Sequence, residues 1–433
     1  MVSSLAAMLK KIPVTQLRLG MHIHRLEGSW MSHPFWKTRF SLDDPADLRS
    51  IRASGVPACW IDPALGLDVA APEPDAPAPR RDRVAAVPTR LPVALPPPVL
   101  KPTHEPSAAS RSFDEELTQA AAICRRGREA VQSMLAEARL GQPVDAEACR
   151  PLVEEISASV MRNPGALVSL ARLKTKDDYS YMHSMAVCAL MVSLGRQLGL
   201  DDAACRNAGL AGLMHDLGKA VLPLEVLNKP GKLTSEEFAL VRLHPERGHQ
   251  MLVEARGVDE QVLEVCLHHH ERIDGGGYPH GLEADAISTV VRMGALCDVY
   301  DAVTSNRPYK AGCDPAESIA RMASWTGHFD PQLFQAFVRS LGIYPTGSLV
   351  RLESARLAVV VEQNAQQLAA PVVKVFFSTL TQMHLPPRRL DLSRAGCSDR
   401  IVGRESLAQW GFAALDELWL DPEIRRRAHA ARA

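Results

Sequence analysis

Residues 211–223, AGLMHDLGKAVLP, end an apolar run with a histidine and an aspartate side by side. Whether the long helical region around this stretch is an inert bundle or the scaffold of a charged site turns on how it is read. A neutral imidazole (His215) and a carboxylate (Asp216) in adjacent positions can ligate one metal, while the second carboxylate oxygen reaches another. Lys219 lies one turn beyond His215 and places a cation where an anionic substrate would sit. Nine of the fifteen histidines fall between His183 and His328. Histidines concentrated on helical segments beside aspartates point to a metal site.

Four further segments extend the pattern. YSYMHSMAVCALMVSLG, 179–195, is nearly all apolar after Met185 and predicts a central buried helix with His183 at its N-terminal edge. Taken alone, His183 reads as a core histidine bonded to a backbone carbonyl. In LVRLHPERGH, 240–249, His244 precedes Pro245, which biases its backbone away from the helical region and predicts a ligand projecting from a helix break; His249 reads as surface or structural. In CLHHHERIDGGGYP, 266–279, a helix from Asp259 to Glu271 at about 100° per residue puts Val262, Cys266, Leu263 and Leu267 on one face. His269 and His270 flank that face, whereas His268 falls between Gln261 and Glu264 on the polar side, as a solvated bystander. ALCDVYDAVTSNRPYK, 295–310, buries Asp298 and Asp301 in an apolar helix, where an uncompensated carboxylate is expensive. Periodicity does not choose between them. Arg307 and Lys310 add cations beyond.

The rest of the chain supplies the setting. It has 433 residues, 46% of them hydrophobic, with a net charge of −1, so there is no bulk attraction for a nucleic-acid polymer or an anionic membrane. Nine cysteines are scattered without a CxxC pair, as expected of reduced thiols in the cytoplasm. No apolar stretch is long enough to predict a membrane span. Residues 1–70 alternate like strands around a helical piece near Ala46–Ala53 and predict a small α+β accessory domain. A Pro/Ala-rich linker, 71–112, follows; 11 of the chain's 31 prolines lie in 71–110. The pattern is helical through 113–345, and LTSEEF (233–238) carries a capping box of Thr234 and Glu237. The amphipathic look of 113–165 raises the expectation of a homodimer. Residues 346–433 predict two or three strands, a β-rich appendix, then a weak basic helix as a solvated tail. The fold class expected is a multidomain, mainly α protein: an all-α bundle between a small α+β domain and a small β-rich appendix.

Together, HDLGK with a proline four residues on, LNKPGKLTSEE, HPERG, HHERIDGGGYP and DVYDAVTSNRPYK resemble the HD-GYP branch of the HD metal-dependent phosphohydrolases over roughly 175–345. LRLGMHI and SWMSHPF resemble the small domain often found ahead of it in bacteria. The resemblance implies metal ligands at His183, His215, Asp216, His244, His269, His270 and Asp298, with Asp216 bridging two ions. It thereby prefers Asp298 to Asp301. Where some members carry a glutamate for a third metal, this chain has Tyr179, so two divalent ions, iron or manganese, are expected.

The implied reaction is hydrolysis of cyclic di-GMP to linear pGpG or on to GMP, by a hydroxide bridging the two metals. Two divalent ions carry four positive charges; Asp216, Asp298 and the hydroxide cancel three, which suits a phosphodiester. Asp216 and Lys219 would act in catalysis, and Lys219, Arg307, Lys310 and Tyr278 would bind substrate. The GYP loop would shape the entrance or meet a signalling partner. The alternatives are a catalytically silent module binding cyclic di-GMP or a partner, and an HD hydrolase of another nucleotide. The full set of ligand positions speaks against the first, the GYP and RPYK segments against the second.

Overall fold

The computed structural model describes residues 9–26, 40–42, 45–53, 58–68, 112–173, 179–229, 231–255, 257–305, 312–325, 327–364, 366–412 and 415–429. The chain divides into two compact units, 1–99 and 100–433. In the first, strands β1 (Lys10–Pro13), β2 (His22–Leu26), β3 (Phe40–Ser41) and β4 (Ala58–Ile61) form an antiparallel sheet in the order β1-β4-β2-β3. Helix α1 (Pro45–Ala53) starts on a proline whose missing N–H would be unpaired in any first turn. Alternation along the strands sends Ile12, Ile23, Cys59 and Ile61 to one core with Leu17, Met21, Leu42 and Ile51. This matches the α+β expectation for 1–70. Of the expected linker 71–112, all but Ser112 lies outside the described residues.

The second unit is a helical bundle: α2 (Phe113–Arg139), α3 (Arg150–Arg162), α4 (Pro164–Arg172), α5 (Tyr179–Gln197), α6 (Asp202–Met214), α7 (Leu224–Leu227), α8 (Ser235–Val241), α9 (His244–Glu254), α10 (Glu260–His268), α11 (Thr289–Thr304), α12 (Pro315–Ala323) and α13 (Pro331–Leu341). Ser112 and Glu115 form a capping box that starts α2, and the expected Thr234–Glu237 box starts α8. Helix α5 is buried on every side from Met182 to Leu194, and α6, α4, α11 and α13 pack around it. A helix apolar all round can only sit at the centre. The apolar faces of α2 and α3 (Leu117, Ile123, Val131; Val153, Ile156, Val160) are buried inside this same bundle. Their amphipathic pattern is therefore explained within one chain and does not call for a dimer.

The appendix is larger than expected. Five strands, β5 (Leu349–Leu352), β6 (Arg356–Glu362), β7 (Val372–Ser378), β8 (Met383–Asp391) and β9 (Ile401–Arg404), make an antiparallel sheet in the order β8-β7-β6-β5-β9. Strand β8 reads poorly as a strand because it contains Pro386 and Pro387; it is an edge strand, where a missing N–H breaks no ladder on the open side. One face of the sheet buries Val350, Val360 and Val373; the other buries Leu349, Leu357 and Phe377 under Trp410, Phe412 and Leu415. The tail is thus not merely solvated: Leu407, Trp410, Phe412, Leu415 and Leu418 cover a sheet face, and α15 (Pro422–His429), which follows the short α14 (Leu407–Trp410), packs on α2. Asp314, at the start of α12, accepts the Leu349 N–H at 2.9 Å and ties bundle to sheet.

Candidate metal centre

Seven side chains from five places in the bundle meet at the end of α5. His183 comes from α5, His215 and Asp216 from the turn ending α6, His244 from the start of α9, His269 and His270 from the turn ending α10, and Asp298 from α11. They fall into two groups whose donor atoms lie within 4.8 Å of one another: His183, His215 and Asp298, and Asp216, His244, His269 and His270. Asp216 spans both. Its Oδ2 is 3.3 Å from Nε2 of His183 and of His215, and its Oδ1 is 3.2 Å from Nε2 of His244 and 3.6 Å from Nε2 of His269. Asp298 turns Oδ1 to His183 at 3.1 Å and Oδ2 to His270 at 3.8 Å.

Local hydrogen bonds orient the rings. Nδ1–H of His215 donates to the carbonyl of Gly212 (2.8 Å), that of His244 to Val241 (2.7 Å) and that of His269 to Cys266 (3.0 Å). Nε2 of each of these rings then faces the centre, and that atom of His215 is buried with no hydrogen-bond partner. Nε2 of His244 and Nε2 of His269 face each other at 3.2 Å. With both Nδ1 atoms donating, two lone pairs point at each other, an arrangement that a shared cation turns from repulsive to favourable. Burial holds His244 and His269 below the usual imidazole range and His270 well below it, so these rings are neutral donors. At His183 burial works in the same direction, but the carboxylates of Asp216, Asp298 and Asp301 outweigh it and hold the ring well above that range. Burial would raise Asp216 and Asp298; neighbouring histidines, and Lys219 at Asp216, hold both well below the carboxylate range. Five imidazoles and two carboxylates make a mixed nitrogen and oxygen donor set that fits first-row divalent ions, iron and manganese among them.

Two local readings are corrected. Helix α10 stops at His268, with His269 as its C-cap, so His270 leaves the helix in a turn rather than continuing on the wheel to Glu271. Pro245 falls in the first turn of α9 and His244 begins that helix instead of breaking it, because a proline there forfeits no hydrogen bond. His268 does point away from the cluster, yet it is half-buried and its Nε2 lies 3.0 Å from Nδ1 of His280. His268→Ala is therefore expected to retain bound metal with a small loss of stability, whereas His269→Ala or His270→Ala loses metal. Metal content of the three purified variants checks this, and equal losses would refute the placement.

Lys219 Nζ sits 2.5 Å from Asp216 Oδ2, so it is paired with the spanning carboxylate rather than standing apart from it. Tyr278 stacks on His270 at 4.6 Å, and the exposed Arg242 lies over the outer face of the Tyr278 ring, also at 4.6 Å. Arg307 and Lys310 lie outside the described residues, as does the side chain of Tyr179. The sequence reading misses Glu271 and gives Asp301, an expensive buried carboxylate, no role. Asp301 accepts from Nδ1 of His183 at 2.6 Å, and Glu271 gathers the backbone N–H groups of His280, Gly281 and Leu282. An acid directly after three histidines and before a glycine run was the available signal for Glu271, which folds the GYP loop back on the site.

Residues 160–333 match the HD domain family, and residues 9–149 match a family described as a domain of unknown function, DUF3391. The chain is 55% identical to the cyclic di-GMP phosphodiesterase PA4108 of Pseudomonas aeruginosa, over 95% of this chain and 96% of that protein. It is 36% identical to the 3′3′-cGAMP-specific phosphodiesterase 1 of Vibrio cholerae, over 38% of each chain. Among solved structures, Bd1817, an HDG"Y"P protein from Bdellovibrio bacteriovorus, aligns with 76% of this chain and 98% of its own, with 16% identity and a TM-score of 0.44.

Proposed function

The chain belongs to the HD-GYP type of HD-domain phosphodiesterases, and from that premise we propose that it hydrolyses cyclic di-GMP to linear pGpG or on to GMP at a centre of two iron or manganese ions. The observation that carries the reading is Asp216, whose two oxygens face two separate sets of histidines. His183, His215 and Asp298 would hold one ion and His244, His269 and His270 the other, with Asp216 shared. When bound, such ions act as Lewis acids and bring the pKa of water from 15.7 toward about 7.

The chain's own groups do the rest. Two divalent ions exceed the charge of Asp216 and Asp298 by two; Asp301 and Lys219 cancel each other, so the centre attracts a phosphodiester anion. The Lys219 ammonium, tethered to Asp216, neutralises charge on the scissile phosphate, and Asp216 orients or deprotonates the attacking water. Tyr278 and Arg242 form a flat cationic surface beside His270, suited to a base or to the second phosphate, and Arg307 and Lys310 would also bind substrate. Residues 1–70 would serve as a regulatory domain joined through the linker 71–112 to a catalytic bundle, 113–345, braced by 346–433. All nine cysteines are free, as suits the cytoplasm, and no helix among the described residues is long and apolar enough to cross a membrane.

The relatives named for cyclic di-GMP and for 3′3′-cGAMP differ in reach. The first matches 95% of this chain and the second 38%, which favours cyclic di-GMP. The test is turnover of cyclic di-GMP and of 3′3′-cGAMP by protein loaded anaerobically with Fe(II) or Mn(II), with nucleotides separated chromatographically. The expected result is pGpG or GMP from cyclic di-GMP and slower or no cleavage of 3′3′-cGAMP. No turnover with either metal, or full turnover by His215→Ala, would overturn the reading.

A further inference from the structure

We infer that Asp301 is a positioning residue that makes the two halves of the centre unequal, by fixing His183 and strengthening its Nε2 as a donor. The inference rests on reading His183 as a ligand and goes beyond that reading by assigning a role to a residue outside the seven candidate ligands. Three ring orientations in the centre are set by neutral acceptors, the carbonyls of Gly212, Val241 and Cys266. At His183 the acceptor is a carboxylate: Asp301 Oδ2 lies 2.6 Å from Nδ1, and Asp301 is only 2% exposed. Its other oxygen accepts from Ser305 Oγ at 3.1 Å, which sets the plane of the carboxylate.

Asp298 and Asp301 lie one turn apart on α11 and Ser305 is its C-cap, so one helix and its cap deliver a candidate ligand, the support of a second ligand, and the support of that support. A charged acceptor draws on the Nδ1–H more strongly than a carbonyl does, leaving more electron density at Nε2. The charges are correspondingly lopsided. Asp301 and Oδ1 of Asp298 both face His183, while the half of His244, His269 and His270 has one oxygen of Asp216 and, at 3.8 Å, Oδ2 of Asp298. The half built on His183, His215 and Asp298 therefore depends on Asp301, and the other half does not. Removing a carboxylate that supports a metal-bound histidine weakens metal binding by about 10–100-fold.

The experiment is an anaerobic calorimetric titration of the metal-stripped full-length chain with Mn(II), alongside thermal melts of the metal-free proteins. Wild type is expected to take two equivalents. Asp301→Asn, which keeps the shape and loses the charge, is expected to bind one of them about 10–100-fold more weakly and the other unchanged. Unchanged binding of both equivalents, or equal weakening of both, overturns the inference. If Asp301→Asn does not fold, Ser305→Ala decides: selective weakening of one equivalent supports the inference, and wild-type binding overturns it. A wild-type protein that takes up no manganese defeats the metal reading itself and is thereby told apart from failure of this inference.

Discussion

Asp216→Ala is expected to abolish metal binding in both halves and to lower turnover at least about 1,000-fold, equivalent to about 4 kcal/mol of transition-state stabilisation. The reason is geometric. Each of the other six candidate ligands belongs to one group, whereas Asp216 gives Oδ2 to His183 and His215 and Oδ1 to His244 and His269. Its loss also removes the carboxylate that faces the Lys219 ammonium, so that positive charge weighs against a divalent ion there. Metal content by mass spectrometry and steady-state turnover check the expectation. A variant that keeps one full equivalent of metal would mean that Asp216 serves one half only. Asp216→Asn separates charge from shape: the amide oxygen can still reach one ion, so partial retention of metal with lost turnover is expected.

The second large effect is expected at Gly218, between Asp216 and Lys219. A methyl group there would lie 1.9 Å from the carbonyl oxygen of His244 and 2.6 Å from the backbone N of Gly248. Both obstacles are backbone, so no side chain can swing aside; helix α9 has to move, and its first residue is His244. Forcing atoms into a packed core costs about 1–3 kcal/mol. For a unit as long as 100–433, each kcal/mol lowers Tm by about 1–2 °C. Gly218→Ala is thus expected to melt several degrees lower and to bind metal more weakly, because Nε2 of His244 is displaced from Nε2 of His269. Thermal melting of the metal-free and metal-loaded forms tests both parts, and wild-type values in both would refute the contact.

Most of the centre was legible because its chemistry is written in residue types that are costly anywhere else. Histidine and aspartate next to apolar runs have few cheap explanations, and all seven residues nominated as ligands meet in space. The helical wheel put His269 and His270 inward and His268 outward, and the outcome agrees although the helix ends early. What the wheel could not see is the C-cap: α10 terminates where the backbone must turn to bring Tyr278 N–H to the carbonyl of His270. Asp301 was visible as an expensive buried carboxylate, but its partner is 118 positions away in sequence and no periodicity connects them. Strand β8 was hidden by its two prolines, whose meaning depends on a position at the sheet edge. The covering role of Trp410, Phe412 and Leu415 was hidden for a similar reason, since they have no apolar period of their own and gain one only against the sheet.

The cysteines carry a practical consequence. Seven of the nine thiols are buried, and burial pushes those of Cys149 and Cys205 up to about 11 and that of Cys124 up to about 12. Alkylating reagents attack the thiolate, so these side chains are silent while the fold is closed. Cys59 lies in the core of the N-terminal sheet, while Cys124, Cys149, Cys188, Cys205, Cys266 and Cys297 lie in the helical bundle. Each unit therefore carries its own stopwatch: the rate at which a given cysteine becomes labelled in native buffer reports how often the fold around it opens, without any engineered probe.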